Sequence, residues 1–199
     1  MDRLFHLVFT LLSLAALLAG CSSTTLNSAW KDPEFRGPVR KIYLVGIARQ
    51  EPNRQLFEDT FNRELAALGA TGIPSYRDLP TDEADSQEAI VARLNRNGAD
   101  SILMVRVTRL RIEEVNSTPY VAARSTWNSY YESRYEYVYT PPMTTEFEVA
   151  TIEANLYDAK TGTLIWLANL ETVIGGDLEK VFGDFARTVT RDLQKQGLL

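Results

Sequence analysis

The chain is poor in the two side chains that carry most protein catalysis: it holds one cysteine, Cys21, and one histidine, His6, both near the N-terminus. It also lacks an apolar run long enough to span a bilayer. The stretch from Leu7 to Leu18, interrupted by Thr10 and Ser13, falls short of the roughly 20 residues a spanning helix needs and within the roughly 7 to 15 of a signal-peptide core. No basic cluster offsets the formal net charge of −5, so the phosphate backbone of a nucleic acid is an unsuitable partner.

Leu18-Ala19-Gly20-Cys21 ends the greasy run with small residues before the cysteine, and Ser22 and Ser23 follow it. This is the pattern of a lipoprotein cleavage site. Residues 1–20 are expected to be removed as a signal peptide and Cys21 to carry thioether-linked lipid. His6 then leaves with the signal and the only thiol is blocked. Cysteine nucleophiles, Ser-His-Asp relays, histidine zinc sites and disulfide frameworks all need groups the mature chain lacks. No catalytic residue, metal site or cofactor is expected.

Residues 21–38 read as a lipidated tether, polar except for Trp30, and residues 39–199 as one α/β domain. Ile42 to Ala48 is a near-continuous apolar run, as in a parallel strand buried on both faces. Phe57, Phe61, Leu65 and Leu68 mark one face of a helix stopped at Gly69. Ala70 to Tyr76 suits a short strand, and a second helix starts near Asp85, with Glu88 as a capping-box partner, and stops at Gly98. Ile102 to Ile112 follows as a long strand. Glu146 to Tyr157 and Leu164 to Val173 form an antiparallel hairpin around Asp158 to Gly162. Asp177 caps a closing helix whose apolar face runs from Leu178 to Leu193. The expected fold is a single mixed sheet, β-α-β-α-β, then the hairpin and a C-terminal helix.

Apolar parity changes within two strands. Leu103, Val105 and Val107 share one parity while Leu110 and Ile112 take the other, and Phe147 and Val149 oppose Ile152, Ala154 and Leu156. A ribbon running past the sheet, or a paired bulge, with apolar groups on its second face, accounts for both. Between these strands residues 115–145 form an insertion too long for an ordinary connection. Trp127, Tyr131, Tyr135, Tyr137 and Tyr139 alternate along it, joined by Tyr130 and interleaved with Arg124 and Arg134. These eight residues are the candidate binding surface, either for a partner or as cover for the ribbon's own second face. Arg54 and Glu58, at i and i+4, read as a surface ion pair.

Trp30-x-Asp32-Pro33, Lys41 to Ile47, Arg54-x-x-Phe57-Glu58, Ser75-Tyr76-x-x-Leu79-Pro80, Ala99 to Leu103 and Leu164-Ile165-Trp166 resemble, in this order, a family of bacterial lipoproteins of uncharacterised role. The resemblance spans the mature chain apart from the Tyr-rich insertion. It implies an α/β layout similar to the N-terminal domain of TolB and to lipoprotein activators of penicillin-binding proteins, with no catalytic residues. Ser22 after the cysteine resembles the pattern of lipoproteins sent to the outer membrane of Gram-negative bacteria. The expected function is a lipid-anchored, non-enzymatic binding module in the periplasm, its partner an envelope protein or peptidoglycan. Two alternatives are a glycan hydrolase using Glu113, Glu114, Glu146 or Glu148 at the ribbon neck, and a purely structural lipoprotein.

Overall fold

The computed structural model describes residues 23–48, 50–80, 86–116 and 144–199. In chain order the elements are β1 (Thr24–Lys31), β2 (Lys41–Ile47), α1 (Glu51–Ala67), β3 (Thr71–Pro74), a 3-10 turn (Ser75–Arg77), α2 (Gln87–Asn97), β4 (Ser101–Asn116), β5 (Thr144–Asp158), β6 (Leu164–Ile174) and α3 (Leu178–Lys195). They form one six-stranded mixed sheet in the order β1-β6-β5-β4-β2-β3. β2 runs parallel to β3 and β4, and the β4-β5-β6-β1 half is antiparallel. The expected mixed sheet, hairpin and closing helix are all present.

Within segment 21–38, the described residues 23–38 depart from the tether expected of it. Thr24–Lys31 is an edge strand paired with β6 from Thr24 opposite Thr172 to Lys31 opposite Trp166. The physical reason is that β6 would otherwise be an open edge, and Leu26 packs into the core beside it. Trp30, opposite Leu167, remains 48% exposed. The segment after Lys31 is fastened too, by the Asp32 amide to the Ile165 carbonyl at 2.8 Å.

Two apolar layers sandwich the sheet. Strand residues Ile42, Leu44, Leu103, Val105, Ala154, Leu156 and Trp166 meet Phe57 and Phe61 of α1 and Phe185 and Val189 of α3 on one face. There the Phe57 and Phe61 rings lie 4.8 Å apart and Phe61 meets Phe185 edge-on at 5.7 Å. Tyr43, Val45 and Ile102 meet Leu79 and Leu94 on the other face, under α2. Trp166 is fully buried and its indole N–H donates to Asp192 of α3 at 2.9 Å, which settles the polar atom of the largest core side chain.

Helix ends follow their local chemistry. Asp177 accepts from the amides of Glu179 and Lys180, as expected of it. α2 is capped by Ser86, whose hydroxyl accepts from the Ala89 amide, one residue later than the start expected near Asp85. Gly98 closes α2 at φ +61°, the left-handed conformation that its lack of a Cβ permits. Gly46 serves a close approach: a Cβ there would sit 2.7 Å from the Phe57 ring.

Arg54 and Glu58 are not the surface pair their spacing suggests. Both are buried, at 1% and 0% exposure, because the 3-10 turn and Leu79 fold over the first turns of α1. One Glu58 oxygen accepts from Arg54 Nε at 3.1 Å, the Gly46 amide at 3.0 Å and the Ser75 hydroxyl at 2.7 Å, and the other accepts the Tyr76 amide at 2.9 Å. Arg54 also donates to the Ser75 hydroxyl and the Leu79 carbonyl. Removing one partner of such a pair strands a buried charge, at a cost of about 3 to 5 kcal/mol. Glu58→Ala is therefore expected to lower unfolding stability by about that amount, measured as a shift of the denaturant midpoint.

Candidate binding surface

The Tyr-rich segment carrying Arg124, Trp127, Tyr130, Tyr131, Arg134, Tyr135, Tyr137 and Tyr139 lies outside the described residues, as does Cys21. The two strands that lead into and out of the segment are described. β4 leaves β2 at Arg106, opposite Ile47, and continues to Asn116, paired only with β5 among the described strands. β6 accompanies β5 as far as Ile174 opposite Glu148. The last described pair is Asn116 with Thr144, closed by a side-chain hydrogen bond of 2.7 Å. The expected ribbon past the sheet is thus present.

A bulge in β4 explains the parity change. Val107 opposes Ile152 and Arg109 opposes Thr151, which leaves Thr108 as the extra residue, its hydroxyl donating to the Thr151 carbonyl. One added residue reverses the alternation. Leu110 and Ile112 thereby stay on the face of Leu103, Val105 and Val107, instead of moving to the second face as expected. Phe147 and Val149 do lie on the second face, with Val115 and Val173.

Apolar groups on the ribbon are open to solvent on both faces: Leu110 is 56% exposed, Ile112 69%, Val115 55% and Phe147 39%. Adjacent apolar residues exposed on both faces, with polar residues around them, are the mark of an interaction surface. Arg111 organises the polar part. It donates to Glu113 and Glu171, each at 2.8 Å, and these bonds raise the arginine's pKa further while they hold the Glu171 carboxyl below the usual carboxylate range. Nearby, Arg106 pairs with Glu153 at 3.2 Å.

The four neck carboxylates do not assemble as one group. Glu114 opposes Glu146, with Glu148 on the same face, whereas Glu113 opposes Phe147 on the other face and is held by Arg111. All four are exposed. At the opposite end of the sheet an open cleft of about 250 Å³ includes Asp32, Glu34, Asp158 and Thr161. Its aspartates are turn caps, Asp32 accepting the Glu34 amide and Asp158 the amides of Lys160 and Thr161. Among the described residues no group of three or more His, Cys, Asp or Glu side chains is placed to hold a metal ion. No described helix is long and apolar enough to cross a membrane.

The feature that sequence reasoning missed is a clamp at the start of β1. The Ser23 amide and hydroxyl both donate to one Asp184 oxygen at 3.1 Å, and the Ser23 carbonyl accepts the Val173 amide at 3.0 Å. Lys180 and Arg187 complete the partners of Asp184, at 2.8 and 2.6 Å. One step further, the hydroxyls of Thr24 and Thr172 meet at 2.9 Å inside the sheet. The Thr-rich run after the cysteine was the available signal, since β-branched residues favour strands. It was outweighed by the polarity of the segment.

No family model and no curated protein sequence matches the chain. Among solved structures it is similar to the PelC dodecamer from Paraburkholderia phytofirmans, at 13% identity, over 86% of this chain and 97% of that chain, with a TM-score of 0.49. It is also similar to the lipoprotein GNA1162 from Neisseria meningitidis, at 12% identity, over 78% of this chain and 99% of that chain, with a TM-score of 0.42.

Desolvation favours the neutral form of Asp184, but the bonds from Lys180, Ser23 and Arg187 outweigh it and hold the carboxyl well below the usual carboxylate range. A depressed folded pKa stabilises the fold above the unfolded value of about 3.9 and is lost as pH falls through the folded value. Asp184→Asn is expected to cost about 2 kcal/mol at pH 7. The gap between variant and wild type should close progressively below about pH 4, as read from thermal unfolding across a pH series.

Proposed function

We propose that this chain is a lipid-anchored envelope module that binds another envelope component through its ribbon and catalyses no reaction. In this reading Cys21 carries the lipid, the anchor lies in the outer membrane of a Gram-negative bacterium, and the domain stands in the periplasm. The observation that carries the reading is the stem of the ribbon: apolar side chains on both faces, solvent-exposed and bordered by the Arg106, Arg111, Glu153 and Glu171 pairs. A fold that needed the stem only to complete its own core would bury these residues. Large, stiff aromatic side chains, from Trp127 to Tyr139, lie in the sequence between the two strands of the stem, and such side chains dominate the energetics of protein interfaces. Acyl chains contribute about 0.8 kcal/mol per buried CH₂, so two or three chains on one cysteine anchor a domain of this size durably.

Two measurements test the two parts. Cys21→Ser is expected to abolish incorporation of labelled palmitate and to move the protein from the membrane fraction to the soluble one. Retained label or unchanged fractionation refutes the anchor. For binding, wild-type protein is used to capture partners from detergent-solubilised envelopes, beside a Leu110→Ser/Ile112→Ser/Phe147→Ser variant and one with Trp127, Tyr131 and Tyr135 changed to Ser. At least a tenfold loss of a specific partner is expected in both variants, with melting temperatures near that of wild type. An unchanged partner set in folded variants rejects the ribbon as the binding surface.

A further inference from the structure

The clamp on Ser23 fixes more than the edge of the sheet. Thr24 lies opposite Thr172, Thr172 opposite Ala150, and Ala150 opposite Leu110, so the start of β1 and the stem of the ribbon occupy one end of the sheet. From Ser23 to Cys21 the chain has two residues to cover, at most about 7 Å when extended. Ile112 lies the same two residues beyond Leu110 along β4. An anchor at Cys21 therefore leaves the domain no free arm, and brings the ribbon end of the sheet to the membrane.

The two ends of the sheet differ in the way this placement requires. The ribbon end exposes Leu110, Ile112, Val115, Phe147 and Val173, and Leu178 at the start of α3 adds to them. The turns at the far end present Asp32, Glu34, Arg36, Asp158 and Lys160. Among the described residues, one exposed large apolar side chain, Trp30 near the end of β1, lies close to those turns, against the six at the ribbon end. We infer that the described stem of the ribbon, through Ile112, Val115 and Phe147, is a docking surface for the lipid leaflet that holds the Cys21 anchor. Its charge selects the lipid. Among the described residues, Glu113, Glu114, Glu146, Glu148, Asp177 and Glu179 outnumber Arg63, Arg109, Arg111 and Lys180 at this end, so it suits zwitterionic headgroups better than anionic ones. The inference rests on the anchor reading of Cys21. It shares Ile112 and Phe147 with the binding surface proposed above, and is read on a pure lipid bilayer with no other envelope component present.

The test uses full-length protein, purified with its lipid and reconstituted into phosphatidylcholine/phosphatidylethanolamine vesicles. With Cys21 acylated no native thiol competes, so single cysteines at Ile112→Cys, Phe147→Cys and, at the far end, Thr161→Cys take a fluorophore selectively. Mass spectrometry first establishes the acyl groups on Cys21. Lipid-borne nitroxide is expected to quench labels at 112 and 147 several-fold more than at 161, and replacing half of the lipid with phosphatidylglycerol should reduce that contrast. Equal quenching at the two ends of an acylated protein overturns the docking inference and leaves the anchor standing. A Cys21 without acyl groups overturns both. Stronger quenching at 161 shows the domain standing the opposite way up and overturns the inference as well.

Discussion

The parallel half of this fold depends on one buried carboxylate. Glu58 is the point where the end of β2, the first turns of α1 and the turn after β3 meet, because its two oxygens take donors from all three: Gly46, Arg54, and Ser75 with Tyr76. A charge removed from water is costly unless each lone pair is answered. Here the answers come from backbone amides and a guanidinium that is itself enclosed by Leu79 and Ser75. The arrangement ties three connections that hydrophobic burial alone would leave free to slide. It also explains the lack of a side chain at Gly46, where the Phe57 ring fills the space beside the bonded amide.

The antiparallel half has its own fixed point in Asp184, and the two points are alike in chemistry. Each is a carboxylate on a helix that captures a backbone amide from a strand or turn distant in sequence, with a basic side chain on the same helix as partner. Between them the helices α1 and α3 are held over one face of the sheet, and their phenylalanines fill what lies beneath. The ribbon lies beyond both helices. Its stem keeps apolar groups that no described helix covers, and this is what separates it from the rest of the sheet.

Most of the layout was legible because its signals are local. The continuous apolar run at Ile42, the 3.6-residue pattern of α3, the glycine stops and the Asp158 to Gly162 turn each need only neighbouring residues to be read. What escaped depends on residues far apart. Arg54 and Glu58 announce a pair by spacing, yet their burial is decided by Leu79 and Ser75, more than a turn of helix away. Thr24 to Lys31 has the polarity of a tether, and only β6, late in the chain, makes it a strand. The parity change in β4 was visible, but which residue was extra was decided by the partner strand, and Thr108 is the one left over. For the candidate site the sequence pointed to the ribbon and to the aromatic residues between its strands, while the clamp at Ser23 needed Asp184 and Ser23 to be seen together.

That clamp has a consequence for the order in which the chain assembles. The partner of Thr24 lies 148 residues later and that of Ser23 lies 161 residues later. β1 thus stays without its neighbour β6 until almost the whole polypeptide has been made. Closing so long a loop is entropically expensive and follows the formation of more local contacts. The N-terminal strand is therefore expected to join the sheet after the more local β4-β5 and β5-β6 hairpins, and in the proposed lipid-anchored form the chain would complete its fold where it is held.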